Sequence, residues 1–315
     1  VSTTEQPPVA PSPARGVRGL PGRVGDAIGR RTRGLTLLNI GTQAGIIVTG
    51  GAVRLTGSGL GCSTWPQCEP GSFTPEFHEG LWFHPAVEFG NRTLTFVLLV
   101  VAALLAIGVW RTRRDLRWWG LVPLAGVLGQ AVLGGITVLV ELHPLVVAPH
   151  MLLSLALVWY SVRFALRYRD ARGRLGGPLV IERWASAALL VVLLVLGALT
   201  TGAGPHSGDA EATERLALDP ALIARAHAMA VWAFIALLVW IGWRIRRDRS
   251  ADDRDEARLS FWVLAGVTLA QGAIGYVQYF TGLPALIVGA HLLGAAVLTA
   301  AHSAFFRLTA RDTAA

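Results

Sequence analysis

Eight stretches of the chain stay apolar for long enough to cross a lipid bilayer, at roughly 35–53, 87–109, 118–140, 146–166, 184–203, 222–243, 260–280 and 286–306. A helix rises 1.5 Å per residue, so about 20 such residues cover the hydrocarbon layer. The pattern predicts an all-α integral membrane protein with eight transmembrane helices. Composition agrees: of 315 residues, 53% are hydrophobic and 15% charged, whereas soluble domains carry about a quarter charged residues.

The charges then orient the helices. Every basic side chain except histidine is arginine. Arg15, Arg18, Arg23, Arg30, Arg31 and Arg33 precede the first span; Arg111, Arg113, Arg114 and Arg117 follow the second; Arg167, Arg169, Arg172 and Arg174 follow the fourth. A further run from Arg244 to Arg258 follows the sixth, while the alternate connections carry acids such as Glu69, Glu141, Asp209 and Glu214. By the positive-inside rule both termini are cytoplasmic, in the plasma membrane of a cell, and the acidic loops face outward. The net charge of +8 therefore reflects topology and lipid headgroups rather than nucleic acid. Residues 1–34, rich in Pro, Gly and Arg, read as a disordered cytoplasmic tail, and 307–315 as a second tail.

The chain also repeats itself. Gln130-Ala131-Val132-Leu133-Gly134 leads, twenty residues on from the glutamine, to His150; Gln271-Gly272-Ala273-Ile274-Gly275 leads at the same spacing to His291. Val48-Thr49-Gly50-Gly51 lies against Thr200-Thr201-Gly202-Ala203, and Glu88-Phe89-Gly90-Asn91 against Ala224-Arg225-Ala226-His227. The expected organisation is two parallel four-helix-bundle repeats, 35–168 and 184–306, joined by a cytoplasmic linker at 169–183.

His150, His227 and His291 each fall within about two turns of the outer end of an inward-running helix. Buried imidazole at that depth is costly unless it is partnered. His227 and His291, on matched helices, are candidates to clamp a haem iron from both sides; the plainer alternative is two core histidines hydrogen-bonded to carbonyls. No convergent set of zinc ligands is visible. The first half offers His150 but has Asn91 where the second has His227, and an amide nitrogen is a poor axial ligand. Glu88, Asn91 and Arg92 share one helix face. Glu88 either pairs with Arg92 to offset burial or lies beside a substrate, relaying protons. Cys62 and Cys68 sit in the first outer loop, where a disulfide is favoured, as a staple or as a redox pair. Arg54 is placed to meet an acidic cofactor substituent at the outer surface. His78 and His84 are interfacial, with occasional ligation open to them; His143 and His206 lie in outer connections, and His302 lies too deep to join the others.

At these residues the chain resembles the bacterial haem A synthase family, whose mitochondrial relatives serve the cytochrome oxidase pathway. The likeness runs from about residue 35 to 306. Its most specific part is Gly51-Ala52-Val53-Arg54-Leu55-Thr56-Gly57-Ser58-Gly59-Leu60-Gly61-Cys62 with Trp65-Pro66 and Cys68, followed by Glu88, Arg92, the Gln130 block to His150, His227, and the Gln271 block to His291. The resemblance implies oxidation of a haem O methyl group, through hydroxylated stages, to the formyl group of haem A. It implies a haem B held by His227 and His291 in the C-terminal half, and haem O as substrate and haem A as product in the N-terminal half, with Glu88 as the essential carboxylate. It implies a Cys62–Cys68 disulfide with a part in electron or haem handling. Haem O synthase and cytochrome oxidase assembly factors are the implied partners, with a membrane electron acceptor; self-association into a homo-oligomer is left open. Well-known members carry histidine at the Asn91 position, which leaves His150 as the clear axial candidate for the substrate iron. Two other functions fit parts of the pattern: a quinol-linked di-haem electron carrier, which makes Glu88 incidental, and a transporter with parallel repeats, which leaves the clustered histidines unused.

Overall fold

The computed structural model describes residues 20–75, 83–173, 179–206, 208–209, 212, 214–247 and 255–310, with side chains from 24 onward. Among them are eight long helices: α1 (Leu20–Leu55), α2 (Phe83–Thr112), α3 (Arg117–Leu139), α4 (Pro144–Tyr168), α5 (Val180–Ala203), α6 (Pro220–Arg247), α7 (Glu256–Phe280) and α8 (Ala285–Leu308). All eight are long and apolar enough to cross a membrane. Large apolar residues such as Leu37, Phe96, Val239 and Leu286 point outward, while Thr32, Thr36, Asn39 and Gln43 form a buried stripe on α1. Apolar outside and polar inside suits a lipid solvent, where each polar group must find its partner within the protein. Asn39 Nδ2, for example, donates to Ser161 Oγ on α4 at 2.8 Å.

Helix α1 packs against α2, α4 and α8, and α4 in turn against α5 and α8. Where the halves meet, Ile47, Leu155, Val158 and Ala296 form a common apolar core. A polar lock lies toward the other end of this seam. Trp159 Nε1 donates to His302 Nδ1 at 3.2 Å, and His302 Nε2 lies 3.1 Å from Ser186 Oγ. His302 is thus a satisfied core residue joining α4, α5 and α8, apart from the other histidines, as expected.

The first helix corrects the expected tail. Residues 20–34 are helical and continue α1 for several turns before the apolar run begins. A continuous apolar count overlooks this segment because it packs through small and polar residues: Thr32 seats where a Cβ on Gly108 would stand, Gly29 faces Thr112, and Asp26 meets Arg111 at 3.8 Å. The linker is likewise shorter than 169–183, since α5 already includes residues 180–183. Its first residues fold back, with Gly173 N–H donating to the carbonyl of Leu308 at 3.1 Å.

Candidate functional site

His150 lies six residues after the start of α4, His227 seven after that of α6, and His291 six after that of α8. At 1.5 Å per residue all three sit about 10 Å inside the same end of the bundle. Each ring rests on a glycine of a neighbouring helix. A Cβ at Gly134 would stand 3.2 Å from His150 Cε1, one at Gly275 3.2 Å from His291 Cε1, and one at Gly197 3.3 Å from His227 Cε1.

The repeated sequence block now has a physical meaning. Gln130 Nε2 donates to the His150 carbonyl at 3.0 Å and to Ser154 Oγ at 2.5 Å; Gln271 Nε2 donates to the His291 carbonyl at 2.8 Å. The glycine that receives the ring follows four residues after the glutamine, one helical turn along the same face. The glutamine grips the histidine's backbone and the glycine makes room for its imidazole.

In the second half the ring centres of His227 and His291 are 6.5 Å apart and their planes cross at 78°. With metal–imidazole bonds of about 2 Å and ring centres roughly 1 Å further back, two rings clamping one metal stand about 6 Å apart. The observed spacing fits that arrangement. In both rings Cε1 and Nδ1 approach the glycine, while Nε2 is turned away from it. Among the described residues no group of three or more His, Cys, Asp or Glu converges as a metal site. A metal held by this pair must bring its remaining ligands with it, as a haem does.

The first half differs at the position that matches His227. Thr49 Oγ1 donates to Asn91 Oδ1 at 2.7 Å. One turn before Asn91, Glu88 is buried at 4% exposure. Its Oε1 accepts from Arg92 Nη2 at 2.5 Å and Nε at 3.0 Å, and its Oε2 accepts from the Cys62 N–H at 2.7 Å. Arg92 continues into the same loop, donating to the carbonyls of Thr64 (2.8 Å), Gln67 (3.1 Å) and Cys62 (3.4 Å). Cys62 and Cys68 are joined as a disulfide. The Glu88–Arg92 pair therefore clasps the disulfide loop by its backbone. From that loop Trp65 reaches α3, where a Cβ at Gly135 would overlap its ring. Gly135 adjoins Gly134, the rest for His150.

Arg54 crosses to the second half. It donates to the carbonyl of Thr201 at 2.9 Å and to that of His206. Beside it, Gly59 N–H donates to the Gly208 carbonyl at 2.8 Å and Leu60 N–H to Asp209 Oδ2 at 3.2 Å. Arg54 thus ties the halves together through the backbone of the second. His84 Nδ1 is 3.0 Å from Ser58 Oγ. His143 accepts from the Leu145 N–H at the start of α4 and reaches Glu214 at 3.0 Å. His78 lies outside the described residues.

Trp65, Thr49, Gly134 and Gly275 stand in the quoted motifs, but sequence reasoning missed their contacts, and it missed Gly197 altogether. The glycines had a signal: Gly134 and Gly275 stand at the same step after Gln130 and Gln271. Gly197 precedes Thr201 by four residues, as Gly45 precedes Thr49. The contact of Trp65 with Gly135 had none, because a loop contact leaves no period.

The sequence matches those of known proteins. The cytochrome oxidase assembly protein family (COX15-CtaA) matches over residues 33–303. A heme A synthase of Staphylococcus epidermidis (strain RP62A) is 28% identical over 178 residues, covering 51% of this chain and 57% of that protein. One of Bacillus pumilus is 34% identical over 116 residues, covering 35% and 36%, and one of Geobacillus kaustophilus is 28% identical over 132 residues, covering 40% of each. The chain spans between about a third and somewhat over half the length of these relatives.

Proposed function

The chain belongs to the cytochrome oxidase assembly protein family, and from that premise we propose that it is a haem A synthase, a membrane oxidoreductase that converts a methyl group of haem O to the formyl group of haem A. The observation that carries this reading is the asymmetry of the two halves: a histidine pair at clamping distance in one, and in the other a single histidine on α4 together with a buried carboxylate on α2. The halves are read as parallel repeats that diverged in use. With α1 begun at residue 20 and α5 at 180, the halves are read as about 20–168 and 180–308.

In the second half His227 and His291 would hold a haem B, which supplies a one-electron relay when bound. Gly197, Gly275 and Gln271 fix the two rings, so that ligation requires little reorganisation of the protein. In the first half His150, set by Gln130 and Gly134, would hold the substrate haem O by its iron. Glu88 would accept protons released as the methyl group is oxidised, with Arg92 pairing with the carboxylate and aiming it. Arg92 and Trp65 would hold the disulfide loop as a wall of the substrate site and exclude water. Arg54 would fix the two halves in register across the seam. Both termini are read as cytoplasmic in a plasma membrane, with the substrate delivered by a haem O synthase and the product passed to oxidase assembly.

The test is co-expression with a haem O synthase, followed by pigment extraction and pyridine haemochrome analysis. One haem B per chain together with newly formed haem A is the expected result. Two haem B per chain with no haem A would overturn the synthase in favour of an electron carrier.

A further inference from the structure

The two halves present different chemistry at one matched position, and the difference extends into the neighbouring helix. In the second half, α6 carries His227, and its ring lies on Gly197 of α5, four residues before Thr201. In the first half, α2 carries Asn91, and the matching glycine of α1 is Gly45, four residues before Thr49. A Cβ at Gly45 would meet no atom within 4 Å. The glycine rest is present in both halves, but the ring occupies only one.

Asn91 is not merely a shorter side chain there. Its Oδ1 accepts from Thr49 Oγ1 at 2.7 Å, the nearer of the two acceptors around that hydroxyl; the carbonyl of Ile46 is 3.3 Å away. With the amide oxygen engaged, the –NH₂ group remains as a donor of two hydrogen bonds. An amide nitrogen has no basic lone pair to give a metal. His150, by contrast, is set by Gln130 and Gly134, the counterparts of the Gln271 and Gly275 that set His291. The first half therefore joins one ligand-strength imidazole to one fixed hydrogen-bond donor.

We infer that Asn91, oriented by Thr49 and standing at the position that matches His227, would donate a hydrogen bond to a small exchangeable ligand bound with the substrate haem. The ligand class is a compact species with a hydrogen-bond-accepting atom, such as water, hydroxide, dioxygen or an anion like cyanide. Thr49 acts through Asn91 as a positioning residue. This inference rests on the haem reading of the first half and adds to it a site for exogenous ligands, which a bis-histidine site lacks.

The experiment uses the full-length protein, extracted from membranes and loaded with haemin as the probe for the first-half site. Cyanide binding to the ferric form and carbon monoxide binding to the ferrous form are followed by absorption spectra. The His227–His291 haem serves as an internal control, since its low-spin spectrum reports intact folding. Wild type is expected to bind both ligands at one haem only. Asn91→His should convert that haem to a low-spin form and abolish both additions. Asn91→Ala and Thr49→Val should weaken cyanide, a good acceptor, by about ten-fold, and carbon monoxide, a poor one, by much less.

Failure of wild type to bind either ligand at a loaded first-half haem would overturn the open position. Equal loss of both ligands in Asn91→Ala would overturn the donor role in favour of packing. Failure of haemin to load at all, or loading that survives His150→Ala, would overturn the underlying haem reading instead.

Discussion

Trp65 of the disulfide loop and Gly135 of α3 are in contact so close that a Cβ on Gly135 would overlap the indole ring. The contact connects a loop held by Glu88 and Arg92 to the helix on which His150 rests. Trp65 is itself 38% exposed, so the indole stands at the rim rather than within the core. The loop is therefore a wall whose position is set at three points: the disulfide, the Glu88–Arg92 clasp and the Trp65–Gly135 contact.

Gly135→Val should push the indole off α3 while leaving the second half undisturbed. The expected result is a fall of about ten-fold or more in haem A formation, with the haem B spectrum and content retained. Gly129, whose added Cβ would meet nothing within 4 Å, supplies the control. Gly129→Ala should leave both measurements near wild type. A drop in activity equal to that of Gly135→Val would remove the wall from the explanation.

Glu88→Gln keeps an oxygen to accept from Cys62 N–H but cannot carry a proton away as a carboxylate does. Haem A formation should fall by about 10²-fold or more, with the helix content and haem B spectrum unchanged. Normal turnover in this variant would sink the proton-handling role and leave Glu88 as a loop anchor alone.

Arg92→Leu is a different lesion. It leaves Glu88 buried without its charge partner and removes a donor from three loop carbonyls, of which that of Gln67 still accepts from Thr64 Oγ1. Breaking one side of a buried ion pair costs about 3–5 kcal/mol. A marked loss of thermal stability in detergent is therefore expected, together with faster proteolysis within residues 60–75. Wild type treated with a thiol reductant should show the same proteolysis with a smaller stability loss, because the clasp survives when the disulfide opens.

Much of this arrangement is legible in the amino-acid sequence. The eight spans are visible because each is a long apolar run, and the histidines because the Gln130 and Gln271 blocks repeat at one spacing. Residues 20–34 escape because they pack through Thr32, Gly29 and Asp26, which offer no hydrophobic signal. Trp65 against Gly135 escapes because partners seventy residues apart share no period. The bond from Thr49 to Asn91 has half a signal: the Thr-Gly step recurs in both halves, but its direction toward α2 depends on helix rotation.

The glycine rests give the sharpest separation of the two halves, because the same change can be made in each. A Cβ at 3.2 Å from a ring carbon is tighter than ordinary van der Waals contact, so the ring or its helix must give way by a few tenths of an ångström. Gly275→Ala displaces His291 against Gln271, which holds its carbonyl, and so strains the clamp. The expected outcome is loss of a substantial fraction of haem B, or a spectral shift away from the low-spin form. Gly134→Ala should spare haem B entirely, since His150 belongs to the other half, and lower haem A formation instead. Absorption spectra and extracted haem from the two variants, prepared side by side, check both expectations. A haem B defect in Gly134→Ala as large as in Gly275→Ala would mean that the halves do not hold separate haem sites.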